Sequence, residues 1–288
     1  MEQTGKVFIN PIKNAWDAFN VDLLDIMHAS LTPTSNPGEA DLLMLGGSLS
    51  SLQDPKYHVD TRPLYLWGTG FLNGDINGPL CRPNLVVRAL RGKLSKEKLS
   101  GISGMTFPED LPLADPGLLA SCLSSPKVEK KYAVGFIPHF REHGSSEVQN
   151  VLEANEDWHF IDITQTPQEV VREIQQCDAI ISSSLHGLIF SDSLGIPNCH
   201  VRLTEIPLGG SFKFRDYYSA FNLIDPALTM DDVIGMTCKE IQDMYAVDKN
   251  TVEEKKVQLM ESFPNEFRNR SVIGNLWRSI KKLSGQLR

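Results

Sequence analysis

Three serines and a histidine follow a short apolar segment in the second half of the chain. Ser182–Ser184 come directly after the predicted strand Asp178–Ile181, and His186 opens a predicted helix that runs to about Leu194. A strand, a polar turn, a helix and a further strand make a βαβ unit. Ligands of such units bind at the carboxyl ends of strands, where free N–H groups and the positive helix end favour an anion. The sequence therefore predicts an anion site beside an imidazole.

The serines of this motif also have an ordinary structural explanation. Serines before a helix are routine N-caps, so the cluster alone does not establish a site. His186 is harder to explain in that way, because it lies at the corner between strand and helix and not on an apolar face. The unperturbed pKa of an imidazole lies near neutrality, which suits proton transfer near pH 7. We therefore take His186 as the candidate catalytic acid or base.

Basic residues that could neutralise an anion occur in two further segments. Arg88, Arg91 and Lys93 cluster where a predicted strand ends, and Lys213 and Arg215 lie in an aromatic-rich segment. A guanidinium binds a carboxylate or phosphate with two parallel hydrogen bonds. One such contact at about 4 Å contributes roughly 4 kcal/mol of Coulomb energy at an effective dielectric constant of about 20. A solvated surface arginine is the alternative for Arg91.

Four more residues are candidates by position or type. His139 follows the predicted strand Tyr132–Ile137, where it could line a cleft or serve as a hydrogen-bonded structural histidine. Asp17 and Asn20 lie near the start of a predicted helix, so they could contact a ligand or cap the helix. Tyr217 offers an aromatic face that suits a sugar ring and suits a protein core equally well.

The composition excludes several classes of protein. The chain has 288 residues, which suits two domains of about 100–200 residues each. The net charge of −8 argues against nucleic-acid binding. Five cysteines without a CxxC pair indicate reduced, cytosolic thiols, and no Cys or His pair has the spacing of a metal site. No signal segment and no membrane-spanning run of about 20 apolar residues is present, so we expect a cytoplasmic protein without a metal.

Several segments together resemble the polysaccharide pyruvyl transferase family. The serine–histidine motif SSSLHGLIFSDSLGIP is similar to the signature of that family, and six other landmarks occur in the family's order between about residues 7 and 222. Their collinearity carries the resemblance. These landmarks are Leu43–Ser48, Leu66–Phe71, Val87–Leu94, Ala114–Leu119, Tyr132–His139 and Phe212–Tyr218.

The resemblance implies a fold, a reaction and a set of site residues. The fold is α/β, with two Rossmann-like domains facing a cleft, as in GT-B glycosyltransferases. The reaction moves the pyruvyl group of phosphoenolpyruvate, as co-substrate and without a cofactor, onto a hexose of a lipid-linked saccharide to form a pyruvate ketal. The implied residues are His186 and Arg91 for catalysis, Ser183, Ser184, Leu185, Lys213, Arg215 and His139 for the donor anion, and Asp17, Asn20 and Tyr217 for the acceptor.

The sequence departs from the family pattern at two places. Trp16 stands where the family has glycine after Asn14, and Ser184 stands where some members carry arginine before the Leu-His pair. Two rival functions stay open. One is a GT-B glycosyltransferase of the same architecture that uses a nucleotide sugar. The other is a non-catalytic saccharide-binding protein, which the two departures make plausible.

The predicted organisation has three parts. Residues 1–125 form a first Rossmann-like domain, residues 126–250 form a second one with the serine–histidine motif, and residues 251–288 form C-terminal helices. From Phe267 the chain carries basic residues and no acidic ones. Such an amphipathic tail could contact the inner face of a membrane peripherally, or it could dock on its own protein. A polar linker is expected over Ser121–Lys131.

Three local predictions bear on the site. The spacing of Leu23, Leu24 and Met27 predicts a helix over Phe19–Ala29. Turn-forming residues predict a loop over Leu31–Ala40. Two glycines at the start of Gly209–Asn222 predict a mobile loop there.

Overall fold

Two parallel β-sheets of five strands each form the framework of the protein. The computed structural model describes residues 5–11, 14–57, 62–74, 78–205, 207 and 209–269. Helices follow most of the strands, which is the arrangement expected when parallel strands are joined by crossover connections. The two sheets with their helices confirm the predicted α/β class and its GT-B-like plan of two Rossmann-like units.

The first sheet is built from the first third of the chain. Its strand order is β2-β1-β3-β4-β5. Helix α1 follows β1, and helix α2 follows β5. The elements are β1 (Gly5–Phe8), α1 (Ala15–Ile26), β2 (Leu31–Thr34), β3 (Leu42–Leu43), β4 (Leu64–Trp67), β5 (Leu85–Ala89) and α2 (Lys93–Ser103).

Strand β2 lies where the sequence predicts only a loop. It pairs with β1 in parallel, with Val7 opposite Pro33. A proline cannot donate a ladder hydrogen bond, so it is tolerated in a strand only at the edge of a sheet. Strand β2 is an edge strand, which explains why Pro33 does not prevent the pairing. Helix α1 also starts earlier than predicted, at Ala15.

The second sheet has the strand order β10-β9-β8-β6-β7. Thr166 caps its helix α4 (Pro167–Gln175) in a capping box with Glu169, as the sequence predicts. The strands are β6 (Tyr132–Ile137), β7 (His159–Phe160), β8 (Cys177–Ser182), β9 (Asn198–Arg202) and β10 (Leu228–Thr229). The helices are α3 (Ser146–Ala154), α4 (Pro167–Gln175), α5 (Leu185–Leu194), α6 (Phe212–Ser219), α7 (Met230–Val233) and α8 (Cys238–Met244).

Helix α6 replaces most of the mobile loop that Gly209 and Gly210 predict. The two glycines have positive φ angles and end before the helix begins. The buried residues of α6 include Lys213, Phe214 and Tyr217, which lie three or four positions apart or are adjacent. Burial of the aromatic residues holds this segment as a helix, and it fixes Lys213 in place.

Two elements connect the sheets. A 3-10 helix over Pro116–Leu123 packs against α1, α4 and α5 through its buried residues Pro116–Ala120. Its last three residues overlap the start of the predicted polar linker, where Cys122 is exposed. Helix α9 (Lys249–Ser262) returns to the first sheet, where the Trp67 indole donates a hydrogen bond of 3.0 Å to the Leu259 carbonyl. A single hydrophobic cluster contains residues from both sheets.

The predicted basic tail lies mostly outside the described residues, which end at Asn269. The part that is described turns inward: Arg268 is buried and its guanidinium donates to the Met260 carbonyl. Among the described helices, none is both long enough and apolar enough to cross a membrane.

Candidate active site

Ser182, the last residue of β8, holds the start of α5 in place through hydrogen bonds to backbone groups. The Ser182 hydroxyl donates to the Ile137 carbonyl of β6 (2.7 Å) and accepts from the Ser184 N–H (3.0 Å). A Cβ added at Gly187 would lie 2.4 Å from this hydroxyl oxygen, so only glycine allows the close packing. Ser184 is the N-cap residue, yet its side chain does not cap the helix. The N–H groups of the first turn, including that of Leu185, have no intrahelical acceptor.

His186 occupies the second position of α5, and part of its side chain is exposed. Burial lowers the pKa of the His186 imidazole well below 6.5, and the nearby Lys213, His139 and Arg91 lower it further. The imidazole is therefore neutral near pH 7 when no ligand is bound. A neutral imidazole among cationic groups becomes easier to protonate when an anion enters, because the anion offsets the repulsion.

Lys213 reaches the same place from α6. It is almost completely buried, and this burial lowers the pKa of its amine to about 8, with Arg91 adding to the effect and Glu142 opposing it. His139, at the end of β6, has its pKa lowered to about 3, first by burial and then by Lys213 and Arg141. The site thus combines positive charge with poor solvation, which favours a multiply charged anion.

Arg91 comes from the other sheet, directly after β5. Its guanidinium is 1% exposed. It donates to the Asp216 carboxylate (2.8 Å) and to the carbonyls of Phe71 (2.5 Å) and Gly46 (3.4 Å). A Cβ at Gly70 would lie 2.7 Å from the guanidinium. Three of its five N–H donors are therefore engaged inside the protein, and its charge still acts on His186 and Lys213.

Ser183 is placed differently from the prediction that it holds an anion. Its hydroxyl donates to the buried Glu142 carboxylate (2.5 Å) and accepts from the His139 N–H (2.9 Å). The hydroxyl proton is therefore committed, and the neighbouring carboxylate would repel an anion. Thr204 donates to the other oxygen of Glu142 (2.7 Å). The geometry assigns Ser183 to the support of the β6 and β8 strand ends.

Two predicted contacts in α6 also point elsewhere. Arg215 is exposed, and it lies two positions after Lys213, which places it on the opposite face of the helix. Tyr217 is completely buried, and its hydroxyl donates to the Asp192 carboxylate (2.6 Å). Tyr217 therefore has no surface for an acceptor sugar, because it belongs to the core network of Asp192. Outside α6, Arg88 of the basic cluster pairs with Glu266 at the surface.

The two acceptor candidates in α1 have partly structural positions. Asn14, not Asp17, is the N-cap of α1: its side chain accepts from the Asp17 N–H (2.9 Å) and donates to the Asp17 carboxylate (2.7 Å). Burial raises the pKa of Asp17 to about 6, although its side chain remains partly exposed. Asn20 is buried and donates to the Asp17 carbonyl, while its amide oxygen has no hydrogen-bond partner among the described residues.

Four residues of this region are absent from the predicted set of site residues. Arg141 contributes charge beside His139 and Lys213, Glu142 orients Ser183, Asp216 binds Arg91, and Trp16 stacks on His186. Arg141 and Glu142 lie within five residues of the end of β6, so that position was a usable signal. Asp216 pairs with a residue 125 positions away, which no local pattern indicates.

Comparison with known proteins gives a family and two partial relatives. A model of the family described as polysaccharide pyruvyl transferase matches residues 6–203. The uncharacterized protein L143 of Acanthamoeba polyphaga mimivirus is 34% identical over 138 residues, which cover 46% of this chain and 47% of that protein. The succinoglycan biosynthesis protein ExoV of Rhizobium meliloti (strain 1021) is 26% identical over 151 residues, which cover 52% of this chain and 45% of that protein.

The chain thus spans about half the length of the curated relatives it matches. A solved structure of the wall teichoic acid polymerase TagF aligns with this chain at a TM-score of 0.41 and 10% identity. The alignment covers 99% of this chain and 90% of the TagF chain. The family match includes the Arg91 loop, all of α5 and well over half of the sequence. The chain belongs to the polysaccharide pyruvyl transferase family.

Proposed function

We propose that the protein transfers the pyruvyl group of phosphoenolpyruvate to two hydroxyls of a saccharide. The observation that supports this most directly is the meeting of Lys213 and Arg91, from different sheets, beside a neutral His186 at a helix N-terminus. Phosphoenolpyruvate carries a phosphate and a carboxylate, so it needs both positive charge and N–H donors. It also needs a proton donor, because the enol must be protonated.

The proposed reaction has three balanced stages. A proton is added to the methylene carbon of phosphoenolpyruvate, which makes the central carbon electrophilic. A sugar hydroxyl adds to that carbon and loses its proton. The C–O bond to phosphate then breaks, phosphate leaves with the bonding electrons, and a second sugar hydroxyl adds and loses its proton to close the ketal. The net products are the pyruvate ketal and inorganic phosphate.

His186 is the proposed acid for the first stage. Its neutral resting state is consistent with this role, because binding of the anionic donor favours uptake of the proton that is then delivered. Lys213 and the N–H groups of Leu185 and the following residues are the proposed phosphate contacts. The N-cap hydroxyl of Ser184, which does not cap α5, is a proposed further donor.

The acceptor is proposed to bind beside the first turns of α5 and α1, where Asp17 is partly exposed. A carboxylate with a pKa raised to about 6 is a suitable base for a sugar hydroxyl. We propose Asp17 for this role.

The same proposal includes a lipid-linked saccharide as acceptor. It also includes a cytoplasmic protein whose basic tail contacts the membrane peripherally. Flotation with anionic liposomes, comparing the full chain with a variant ending at Asn269, tests the tail, and equal flotation would reject it.

Mass spectrometry tests the reaction. Candidate lipid-linked oligosaccharides are incubated with phosphoenolpyruvate, and the expected product carries an added pyruvate ketal with release of one phosphate. His186→Gln should abolish both signals while binding of phosphoenolpyruvate persists. A thermal shift with nucleotide sugars and none with phosphoenolpyruvate would instead favour a glycosyltransferase. Saccharide binding without phosphate release under any condition would favour a non-catalytic protein.

A further inference from the structure

The indole of Trp16 lies flat on the imidazole of His186. The ring centroids are 3.9 Å apart and the ring planes differ by 9°. Trp16 comes from the first turn of α1 and His186 from the first turn of α5, so the contact joins helices that belong to different sheets. Trp16 is 2% exposed, whereas His186 is half-buried. One face of the imidazole is therefore covered, and only its remaining surface is open to a ligand.

The indole is held in this position by tight packing. A Cβ at Gly117 would lie 2.3 Å from the six-membered ring, and a Cβ at Gly46 would lie 3.3 Å from Nε1. Phe190 packs at an angle on another side, with a centroid distance of 5.7 Å. The Nε1–H has no hydrogen-bond partner among the described residues, so no polar contact explains the placement. Because the indole has no room to move, its face fixes the orientation of the imidazole.

The electrostatic effects of the neighbours on His186 have opposite signs. Lys213, His139 and Arg91 each lower the pKa of the imidazole, and the positive end of α5 acts in the same direction. The face of an indole carries partial negative charge and attracts a cation placed above it. Stacking on Trp16 therefore favours the protonated imidazole against its cationic surroundings.

We propose that Trp16 is a positioning residue for His186, whose ring fixes the imidazole and stabilises the imidazolium that forms when an anion binds. The chemical requirement is an aromatic face, not an indole N–H. Phenylalanine should therefore preserve the function and leucine should not. The residue acts through His186 and needs no contact with the substrate.

The first test uses emission of Trp16 and requires no turnover. An imidazolium quenches an adjacent excited indole more strongly than a neutral imidazole does. The emission difference between the wild type and Trp16→Phe isolates Trp16, because the other tryptophans are common to both. Phosphoenolpyruvate at pH 6–7 should quench this difference signal, and His186→Gln should remove the quenching. An unchanged signal in wild type that binds phosphoenolpyruvate, or equal quenching in His186→Gln, would overturn the proposal.

The second test uses the pH profile of transfer and rests on the proposed function. In Trp16→Leu the alkaline limb of kcat should move to lower pH by about half to one unit, as loss of a cation–π contact implies, and Trp16→Phe should keep the wild-type limb. Identical limbs in both variants, with melting temperatures that show both are folded, would contradict the positioning role. If the wild type transfers no pyruvyl group, the proposed function fails, and the emission test still shows whether an imidazolium forms against Trp16 when the anion binds.

Discussion

The Arg91 guanidinium and the Asp216 carboxylate form an ion pair of 2.8 Å in which the side chains are 1% and 0% exposed. Asp216 also accepts from the N–H (2.8 Å) and the hydroxyl (2.6 Å) of Ser95 in the first turn of α2. One carboxylate from the second sheet's α6 therefore holds the Arg91 loop and caps a helix of the first sheet. Lys213 lies one turn before Asp216 on the same helix, so this pair fixes the distance between the two cations of the site.

Asp216→Ala should lower the free energy of unfolding by about 3–5 kcal/mol, because it leaves the Arg91 charge buried without a counterion. Ser95→Ala is the control that removes no charge. It deletes the hydroxyl that donates to Asp216 and accepts from the Phe71 N–H, and it should cost about 1–3 kcal/mol. Urea unfolding of both variants measures the difference. Equal losses would show that the charge pair contributes no more than an ordinary hydrogen bond.

Glycine-to-alanine changes in the same region should have opposite signs. A Cβ at Gly92 would lie 1.8 Å from the Asp216 carbonyl oxygen, so Gly92→Ala must push α6 away from α2. A Cβ at Gly101, inside α2, would meet no atom within 4 Å, and Gly101→Ala should stabilise the helix by roughly 0.5–1 kcal/mol. Thermal unfolding compares them, and a neutral Gly92→Ala would show that α6 can shift freely.

Affinity for phosphoenolpyruvate should fall as the pH rises above about 8, where Lys213 loses its proton. The sign follows because the protonated amine attracts the anion, so binding is strongest below the pKa and weakens up to about tenfold per pH unit above it. Calorimetric titration between pH 6.5 and 9.5 measures this. Lys213→Arg stays charged and should remove the decrease, whereas a wild-type affinity that does not depend on pH would contradict it.

Binding of phosphoenolpyruvate near pH 7 should be accompanied by proton uptake. The pKa of His186 is held well below 6.5 in the free protein, and a bound anion raises it, so the imidazole takes up part of a proton. Calorimetry in buffers of different ionisation enthalpy counts the protons. His186→Gln should abolish the uptake, and His139→Gln should leave most of it, since the pKa of His139 starts near 3.

Asp115 should make the stability of the protein depend on pH. Burial raises the pKa of this carboxyl from 3.8 to about 7, so the folded state holds a proton that the unfolded state releases. Its contribution is complete below about pH 4 and is lost as the pH rises to about 7. Asp115→Asn keeps the acceptor for the Gly117 N–H and should not show this loss. Parallel unfolding curves of both proteins across pH 4–8 would contradict the assignment.

The sequence predicts the elements that carry strong local signals. Strand β6, the capped helix α4 and the turn into α5 are all indicated, because apolar runs and capping residues are local. Helix α6 is not, because its two leading glycines resemble a loop, while the aromatic burial that stabilises it depends on distant partners. Strand β2 escapes prediction because Pro33 is compatible with a strand only once the strand is known to be at an edge.

Within the site, residue types are easier to predict than their partners. His186, Lys213 and Arg91 are close enough to affect one another electrostatically. Strand ends indicate His186 and Arg91, whereas Lys213 is indicated by its charge in an aromatic-rich segment and by the family resemblance. The sequence assigns Ser183 to the donor anion because it lies in a serine cluster at the start of a predicted helix and because the family resemblance implies it. Its hydroxyl is instead used by Glu142, a contact over 41 positions. Tyr217 is misplaced for the same reason, because Asp192 is its partner only in three dimensions.

The return of α9 to the first sheet has a consequence for synthesis of the chain. The Trp67 indole donates to the Leu259 carbonyl, and Lys255 donates to the Leu113 carbonyl (2.8 Å). Residues near the end of the chain therefore cover surfaces formed by residues near its start. While the second sheet is being synthesised, the apolar face of the first sheet that α9 will contact is still uncovered. Nascent chains halted before α9 has emerged from the ribosome should therefore bind chaperones, and chains in which α9 has emerged should be released.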